Sequence, residues 1–242
     1  MKKLILISGP SCVGKGPLLK ALKHFYPETP IGEISVIKSH ESRNGIPRAD
    51  ETKIWNNPEY FMAADEMKGL DKTRYFVGDC RGFPQAIDVK KVADSTAGII
   101  ILEVYHSIGA AFQEWAKYLF TDKGIEVRTV FISPLSESEM SDLNAIGINV
   151  SDYLENIMIH KQLVRSRFMD RPIESEKEKQ DICKRAKDAW NEIQSAKSFT
   201  DVIINHDGEG HPNWNMDGNK FLLRPEGDAG RALEKLNEII MG

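Results

Sequence analysis

The run LILISGPSCVGKGPLLKALKHF, residues 4–25, constrains the fold more than any other stretch of this chain. Leu4, Ile5, Leu6 and Ile7 form an apolar run of strand length, which reads as a strand buried on both faces of a parallel sheet. Gly9, Pro10, Ser11, Cys12, Val13, Gly14 and Lys15 follow, and then Leu18, Leu19, Leu22 and Phe25 recur at helical spacing until Pro27 stops them. Strand, glycine loop and helix in this order is the context in which the spacing G-x-x-x-x-G-K cradles phosphate. Glycines let backbone N–H groups converge on phosphate oxygens, and the helix N-terminus adds the positive end of its dipole. Gly9, Ser11, Cys12, Val13, Gly14, Lys15 and Gly16 are therefore the candidate nucleoside triphosphate site, with Lys15 neutralising the outer phosphates. The position after the lysine usually carries a Ser or Thr hydroxyl for magnesium. Here it is Gly16, followed by Pro17, so neither position supplies one.

A chain of 242 residues can bury a sizeable core, and 41% hydrophobic with 28% charged residues is ordinary for a globular protein. The formal net charge of −4 argues against a dedicated nucleic-acid binder, which carries a basic surplus to neutralise phosphates. Three cysteines, Cys12, Cys80 and Cys183, make neither a disulfide framework nor a C-x-x-C metal pair, and they fit a reducing cytoplasm. The apolar run after Met1, Lys2 and Lys3 is too short for an export signal, and no segment approaches membrane-spanning length. His206 and His211 flank an acidic loop without a partner at ligand spacing, which reads as solvated histidines rather than a metal site.

Strands are expected at 4–7, 34–37, 99–104, 127–132 and 202–204, mostly separated by helical patterns, the alternation of a parallel sheet with helices on both faces. Ser136 with Glu139 forms a capping box, Asp152 opens a helix carrying Leu154, Ile157, Met158, Val164 and Phe168, and Asp228 is expected to cap the last helix. The charge-rich segment 165–179, broken by Pro172, reads as a hinge or flap. Residues 206–218 read as a polar loop or hairpin, with Phe221, Leu222 and Leu223 returning as a short edge strand.

A second constellation, KSHESRNGIPRADE, sets Ser39, Arg43 and Arg48 in a loop that Gly45 and Pro47 force to turn. Arginine's planar fork suits a bidentate grip on phosphate, although such charge runs are often only solvated surface. Together, GPSCVGKGPLLKAL and SHESRNGIPR resemble the guanylate kinase family, whose members carry a G-P-S-G-x-G-K loop and then an S-H-T-T-R-x-P-R loop that binds the acceptor nucleotide. The resemblance implies that Ser39 faces the guanine and that Arg43 and Arg48 hold the monophosphate, with two more residues between the arginines here than in the family pattern. It makes Tyr75 of RYFVGD a phosphate ligand and Asp65 or Glu66 the carboxylate reading the guanine edge. ILEVYHSIGA resembles I-L-D-I-D-x-x-G, with Glu103 and Tyr105 in place of the two acids, and Asn205 of VIINHD matches the residue beside the nucleotide base. The family's lid arginines have no counterpart at Ile146 and Gly147; Lys161, Arg165, Arg167 and Arg171 are the cations available from the following turns. The tail from Gly208 onward matches nothing in the family pattern.

The resemblance implies a single α/β domain with the P-loop kinase fold, a parallel β-sheet flanked by helices. Its core would comprise 1–33, 95–135 and 180–242, with an acceptor-binding insertion at about 34–94 and a lid at about 136–179. The implied activity is ATP-dependent phosphoryl transfer to a nucleoside monophosphate, GMP or dGMP first. The catalytic residues would be Lys15, Arg43, Arg48, Arg165 and Arg167, and Mg2+ would be held largely through water and by Glu103. The partners are then small-molecule nucleotides, with no nucleic acid or membrane, for a monomer or homodimer. Two alternatives remain: a phosphotransferase of this fold with another small phosphorylated or hydroxylated acceptor, or a non-catalytic guanylate-kinase-like binding module.

Overall fold

The computed structural model describes residues 2–43, 45–47, 51–169, 173 and 175–242. In chain order the strands and helices are β1 (Lys2–Ser8), α1 (Lys15–Phe25), β2 (Ile31–Glu33), β3 (Ile37–Ser39), β4 (Phe61–Met62), α2 (Ala64–Lys68), β5 (Tyr75–Cys80), β6 (Phe83–Asp88), α3 (Val89–Asp94), β7 (Ile99–Glu103), α4 (His106–Thr121), β8 (Ile125–Ser133), α5 (Glu137–Ala145), α6 (Val150–Phe168), α7 (Glu176–Gln194), β9 (Asp201–Ile204), β10 (Met216–Asp217), β11 (Lys220–Phe221) and α8 (Gly227–Met241). The architecture is mixed α/β, a parallel sheet flanked by helices, as the alternation in the sequence requires. The chain divides into two compact units, Met1–Ile7 with Pro30–Thr129, and Ser8–Thr29 with Val130–Gly242.

In the first unit the parallel order is β2-β7-β1, with Leu4 opposite Ile100 and Ile31 opposite Ile99. Leu4, Ile5, Leu6 and Ile7 are all fully buried, which is why the run is apolar without alternation. Leu4, Leu6, Ile100 and Leu102 pack with Val92 of α3 and with Ile108, Phe112 and Phe120 of α4. Cutting any large member of that cluster to alanine removes about 2–5 kcal/mol of stability.

The same unit holds a second sheet, β4-β3-β6-β5, that the sequence reading did not foresee. Its β5–β6 hairpin closes through Arg81 and Gly82, both at positive φ (56° and 85°), while the Asp79 carboxylate accepts a hydrogen bond from the Gly82 amide at 2.9 Å. The expected strand at 34–37 is corrected by this sheet. β2 ends at Glu33 on β7 and β3 begins at Ile37 opposite Ala86 of β6, so 34–36 is the crossing between two sheets.

In the second unit β8 and β9 pair in parallel, with Phe131 opposite Val202. Phe131 lies in a core with Leu154 and Met158 of α6, Ala186, Ala189 and Ile193 of α7, and Phe199. The capping box at α5 is as expected: Ser136 Oγ accepts from the Glu139 amide at 3.2 Å and Glu139 accepts from the Ser136 amide at 2.7 Å. Helix α6 starts earlier than expected, because the Asn149 side chain accepts from the Ser151 and Asp152 amides at 2.9 and 3.3 Å. It continues to Phe168, so 165–168 is helix rather than flap, and Ser175 with Glu178 caps α7. Asp228 does not cap α8; it lies within the first turn, after Glu226 at the cap position. The hairpin β10–β11 extends only to Phe221, whose ring meets His24 and Phe25 of α1 at 5.4 and 5.3 Å. Among the described residues no helix is long and apolar enough to cross a membrane.

Candidate functional site

The glycine loop leaves β1 and enters α1 as the spacing requires. Gly9 has φ +141°, and a Cβ there would lie 2.3 Å from the Ile132 carbonyl oxygen, so no side chain fits. Gly14, the residue before α1, has φ +101° and leaves no space for a Cβ, which would come within 2.5 Å of the Asn205 amide nitrogen. Lys15 is the first residue of α1 and 8% exposed. Its ammonium donates to the Gly9 and Pro10 carbonyls at 2.7 and 2.9 Å, which folds the side chain back over the loop. Cys12 is buried within the loop, and burial, reinforced by the charge of Glu209, pushes its thiol up, away from a reactive thiolate.

The segment after β9 lies along this loop and fixes it. Asn205 is fully buried; its Nδ2 donates to the Val13 and Asp207 carbonyls, both at 2.8 Å, and its Oδ1 accepts from the Asp207 amide at 3.2 Å. The side chain matched to the nucleotide base is thus committed to bracing the loop. The Glu209 amide donates to the Cys12 carbonyl at 3.1 Å, and the Trp214 indole donates to the Gly208 carbonyl at 3.1 Å. Asp207 accepts from Asn213 and from the Ala229 amide, each at 2.9 Å. The tail, which matched nothing in the family pattern, therefore anchors this segment to the start of α8.

Two α6 cations, one turn apart on the same face, meet the segment. Lys161 donates to the His206 carbonyl and Arg165 pairs with the Glu209 carboxylate. Burial pushes the Lys161 ammonium down to about 8, against the opposing pull of Asp207, Cys12 and Asp228. His206 bridges Asp228 at 2.7 Å and Glu139 at 2.8 Å; burial opposes its charge, but the two carboxylates prevail and raise its pKa. Tyr153, Ile157, His160, Val164, Gly208 and His211 are among the residues lining a hollow of about 480 Å³ against α6, a size that admits a small organic ligand. Arg167 is exposed near the end of α6, and Arg171 lies outside the described residues.

The residues assigned to the acceptor lie in the other unit. Ser39 ends β3, fully buried, its Oγ accepting from the Ser42 amide at 3.2 Å. Arg43 stands on the turn His40–Arg43 and grips a carboxylate: Nε to Glu51 Oε2 is 2.9 Å and Nη2 to Oε1 is 2.8 Å. Glu51 is 7% exposed and also has Lys38 within 3.8 Å. The sequence reading did not single it out. Arg48 lies outside the described residues. Glu66, on α2, accepts from the Ala63 amide at 3.0 Å as part of the helix start, and Asp65 pairs with Lys68 at 2.7 Å. Tyr75 is half-buried on β5, packed against the small core of Ile37, Met67 and Ala86, with the Arg74 guanidinium 5.0 Å from its ring centre. Ser39, Glu66 and Tyr75 thus stand on elements around one core. Glu103 is exposed at the end of β7, in register with Ile7, and Arg81 stands 5.2 Å from the Tyr105 ring centre.

For a magnesium ion the donor set is sparse but of the right chemistry. Among the described residues no group of three or more His, Cys, Asp or Glu side chains forms a metal cage, so an ion here would be shared with phosphate and water, as Mg2+ commonly is. One carboxylate reaches the loop: Glu209 Oε1 lies 3.6 Å from where a Cβ on Gly16 would stand.

No family model and no curated protein matches the sequence. Among solved structures, a guanylate kinase from Anaplasma phagocytophilum is similar at a TM-score of 0.51 and 15% identity, over 99% of this chain and 85% of that one. A fungal RNA kinase gives a TM-score of 0.41 at 9% identity, over 100% of this chain and 85% of that one. The first likeness is one of fold, and the second is too distant to add to it.

Proposed function

We propose that this chain is an ATP-dependent phosphotransferase acting on a nucleoside monophosphate, GMP or dGMP first. The observation that carries the reading is Lys15, folded over a loop in which Gly9 and Gly14 admit no side chain, at the start of a helix. Loop amides and Lys15 would hold the outer phosphates of ATP, and the hollow beside α6, bounded in part by Lys161 and Gly208, would take the base. Phosphoryl transfer requires positioning and neutralisation of charge on the equatorial oxygens more than covalent chemistry. Lys15, Arg165 and Lys161 supply cations on the donor side, and Arg43, with Tyr75, supplies the acceptor side. Magnesium, when bound, would polarise the phosphates and offset their charge. No general base is needed when the nucleophile is a phosphate oxygen. The likeness in fold to a guanylate kinase and the paired motifs support this reading. Three cysteines outside any disulfide suit a cytoplasmic enzyme whose partners are small nucleotides, acting as a monomer or homodimer.

The second reading, a different small acceptor, is favoured by one contact: Arg43 already grips the buried Glu51. A monophosphate would have to displace that carboxylate. ADP production from Mg-ATP with GMP, dGMP, AMP, CMP, UMP, dTMP and ribose phosphates separates the two. Turnover confined to GMP and dGMP supports guanylate kinase activity, turnover confined to another acceptor moves the assignment there, and ATP binding without turnover on any acceptor favours a binding module.

A further inference from the structure

We propose that Glu209 replaces the hydroxyl that the phosphate loop lacks, as the protein ligand of the divalent cation accompanying the triphosphate. The inference rests on the phosphate-loop reading above. Gly16 and Pro17 offer no oxygen at the start of α1. Setting aside the chain neighbours and the backbone of α1, Glu209 Oε1 is the only atom of the described residues within 4 Å of the point a Gly16 Cβ would occupy, at 3.6 Å. The loop itself sets that reach, because the Glu209 amide is bonded to the Cys12 carbonyl at 3.1 Å. A carboxylate oxygen from the tail thus approaches the volume a Ser or Thr side chain would fill.

The chemistry agrees with the placement. A bare carboxylate beside converging amides and Lys15 opposes an incoming phosphate, so its presence needs a compensating cation. Arg165 compensates it in this structure. A small hard cation sharing its shell between one carboxylate and phosphate oxygens would do so with the triphosphate in place, and Mg2+ prefers such a shell. Glu103, the carboxylate the sequence pointed to, ends β7. It is the natural competitor for the role.

The test uses the full chain and two readouts other than turnover. ATP affinity is measured by calorimetry in Mg2+ and in EDTA, and protein-bound Mn2+ is counted by electron paramagnetic resonance in the ATP complex. The proteins are wild type, Glu209→Gln, Glu103→Gln and Glu209→Gln combined with Gly16→Ser, with thermal melts to show that each is folded. The proposal expects wild type to bind ATP at least about tenfold more tightly in Mg2+ than in EDTA, the low end of what a metal site's supporting group is worth. Glu209→Gln should lose that increment and the bound Mn2+, so that its affinity in Mg2+ falls below that of wild type, while it binds ATP in EDTA at least as tightly as wild type, because the carboxylate opposes phosphate when no cation is bound. Gly16→Ser should restore part of both, since a Cβ there meets only an ordinary contact. Tighter binding by Glu209→Gln in both buffers would make Glu209 a plug over the loop and overturn the proposal. Loss in Glu103→Gln instead, or a wild type indifferent to Mg2+, would overturn it while leaving the ATP site intact. A wild type that binds no ATP in either buffer overturns the phosphate-loop reading, and the inference with it.

Discussion

The phosphate loop and the acceptor loop are both short turns after a strand, yet they are built in opposite ways. The phosphate loop is fixed by backbone: Gly9 and Gly14 occupy positions a Cβ would destroy, and Asn205 and the Glu209 amide bond its carbonyls. The acceptor turn is fixed by side chains: Arg43 lies in the fork of Glu51, and Ser39 bonds back to Ser42. A backbone cradle serves any phosphate and tolerates little change, whereas a side-chain clamp is easily re-aimed. On the proposed function the donor half would be general chemistry, and acceptor choice would reside in pairs such as Arg43 with Glu51.

The strongest way to break this contrast is Gly9→Ala. The new methyl would meet a carbonyl at 2.3 Å in a left-handed backbone, so a loss of about 3 kcal/mol or more in urea unfolding is expected, together with loss of ATP binding. A folded, ATP-binding variant would show that the loop is not fixed by its backbone. Arg43→Ala is next. It takes the two-point partner from the buried Glu51 carboxylate, which keeps Lys38 at 3.8 Å, at a cost of about 1–3 kcal/mol, while Glu51→Gln leaves Arg43 available and should tighten binding of a phosphorylated acceptor. Equal acceptor affinity in wild type and Glu51→Gln would remove Arg43 from the acceptor site. Asn205→Ala follows, leaving two carbonyls without their donor at a cost of about 1–3 kcal/mol and weakening ATP binding without touching acceptor affinity. A selective loss of acceptor affinity would reverse the assignment.

The smallest effect is one of pH. Lys161 is protonated below about 8 in the fold, so its charge, and the ATP affinity it supports, should fade as pH rises through that value. Because an unfolded lysine keeps its proton to about 10.4, the folded chain binds fewer protons in between, and the Lys161 contribution to stability rises with pH across that window. In Lys161→Met both dependences should vanish. An unchanged ATP affinity profile would detach Lys161 from the phosphates.

What could be read from the sequence follows the same division. The strand, loop and first helix were legible because backbone demands leave glycines and an uninterrupted apolar run at fixed positions. Glu209 was not legible, since a carboxylate that reaches a loop from elsewhere in the chain leaves no local pattern, and Glu51, the last residue of KSHESRNGIPRADE, is indistinguishable by type from the other charges of that run. The β5–β6 hairpin was hidden because Gly78, Asp79 and Pro84 interrupt its strands, and its turn carries glycine at only one of two central positions. Residues 34–37 carry the β-branched composition of one strand, but the chain changes sheets there, which propensity does not record. Asn205 was found by likeness to a motif, and its bracing role emerged only from its partners.

The most direct test of the account is steady-state ADP production from Mg-ATP with GMP, comparing wild type with Lys15→Ala and repeating both without acceptor. The account predicts acceptor-dependent turnover in wild type and a fall on the order of a hundredfold or more in the variant, as expected when a preorganised cation is removed from the transferring phosphoryl group. Equal rates in the two proteins would contradict it, because the lysine folded over the loop would then have no part in the chemistry.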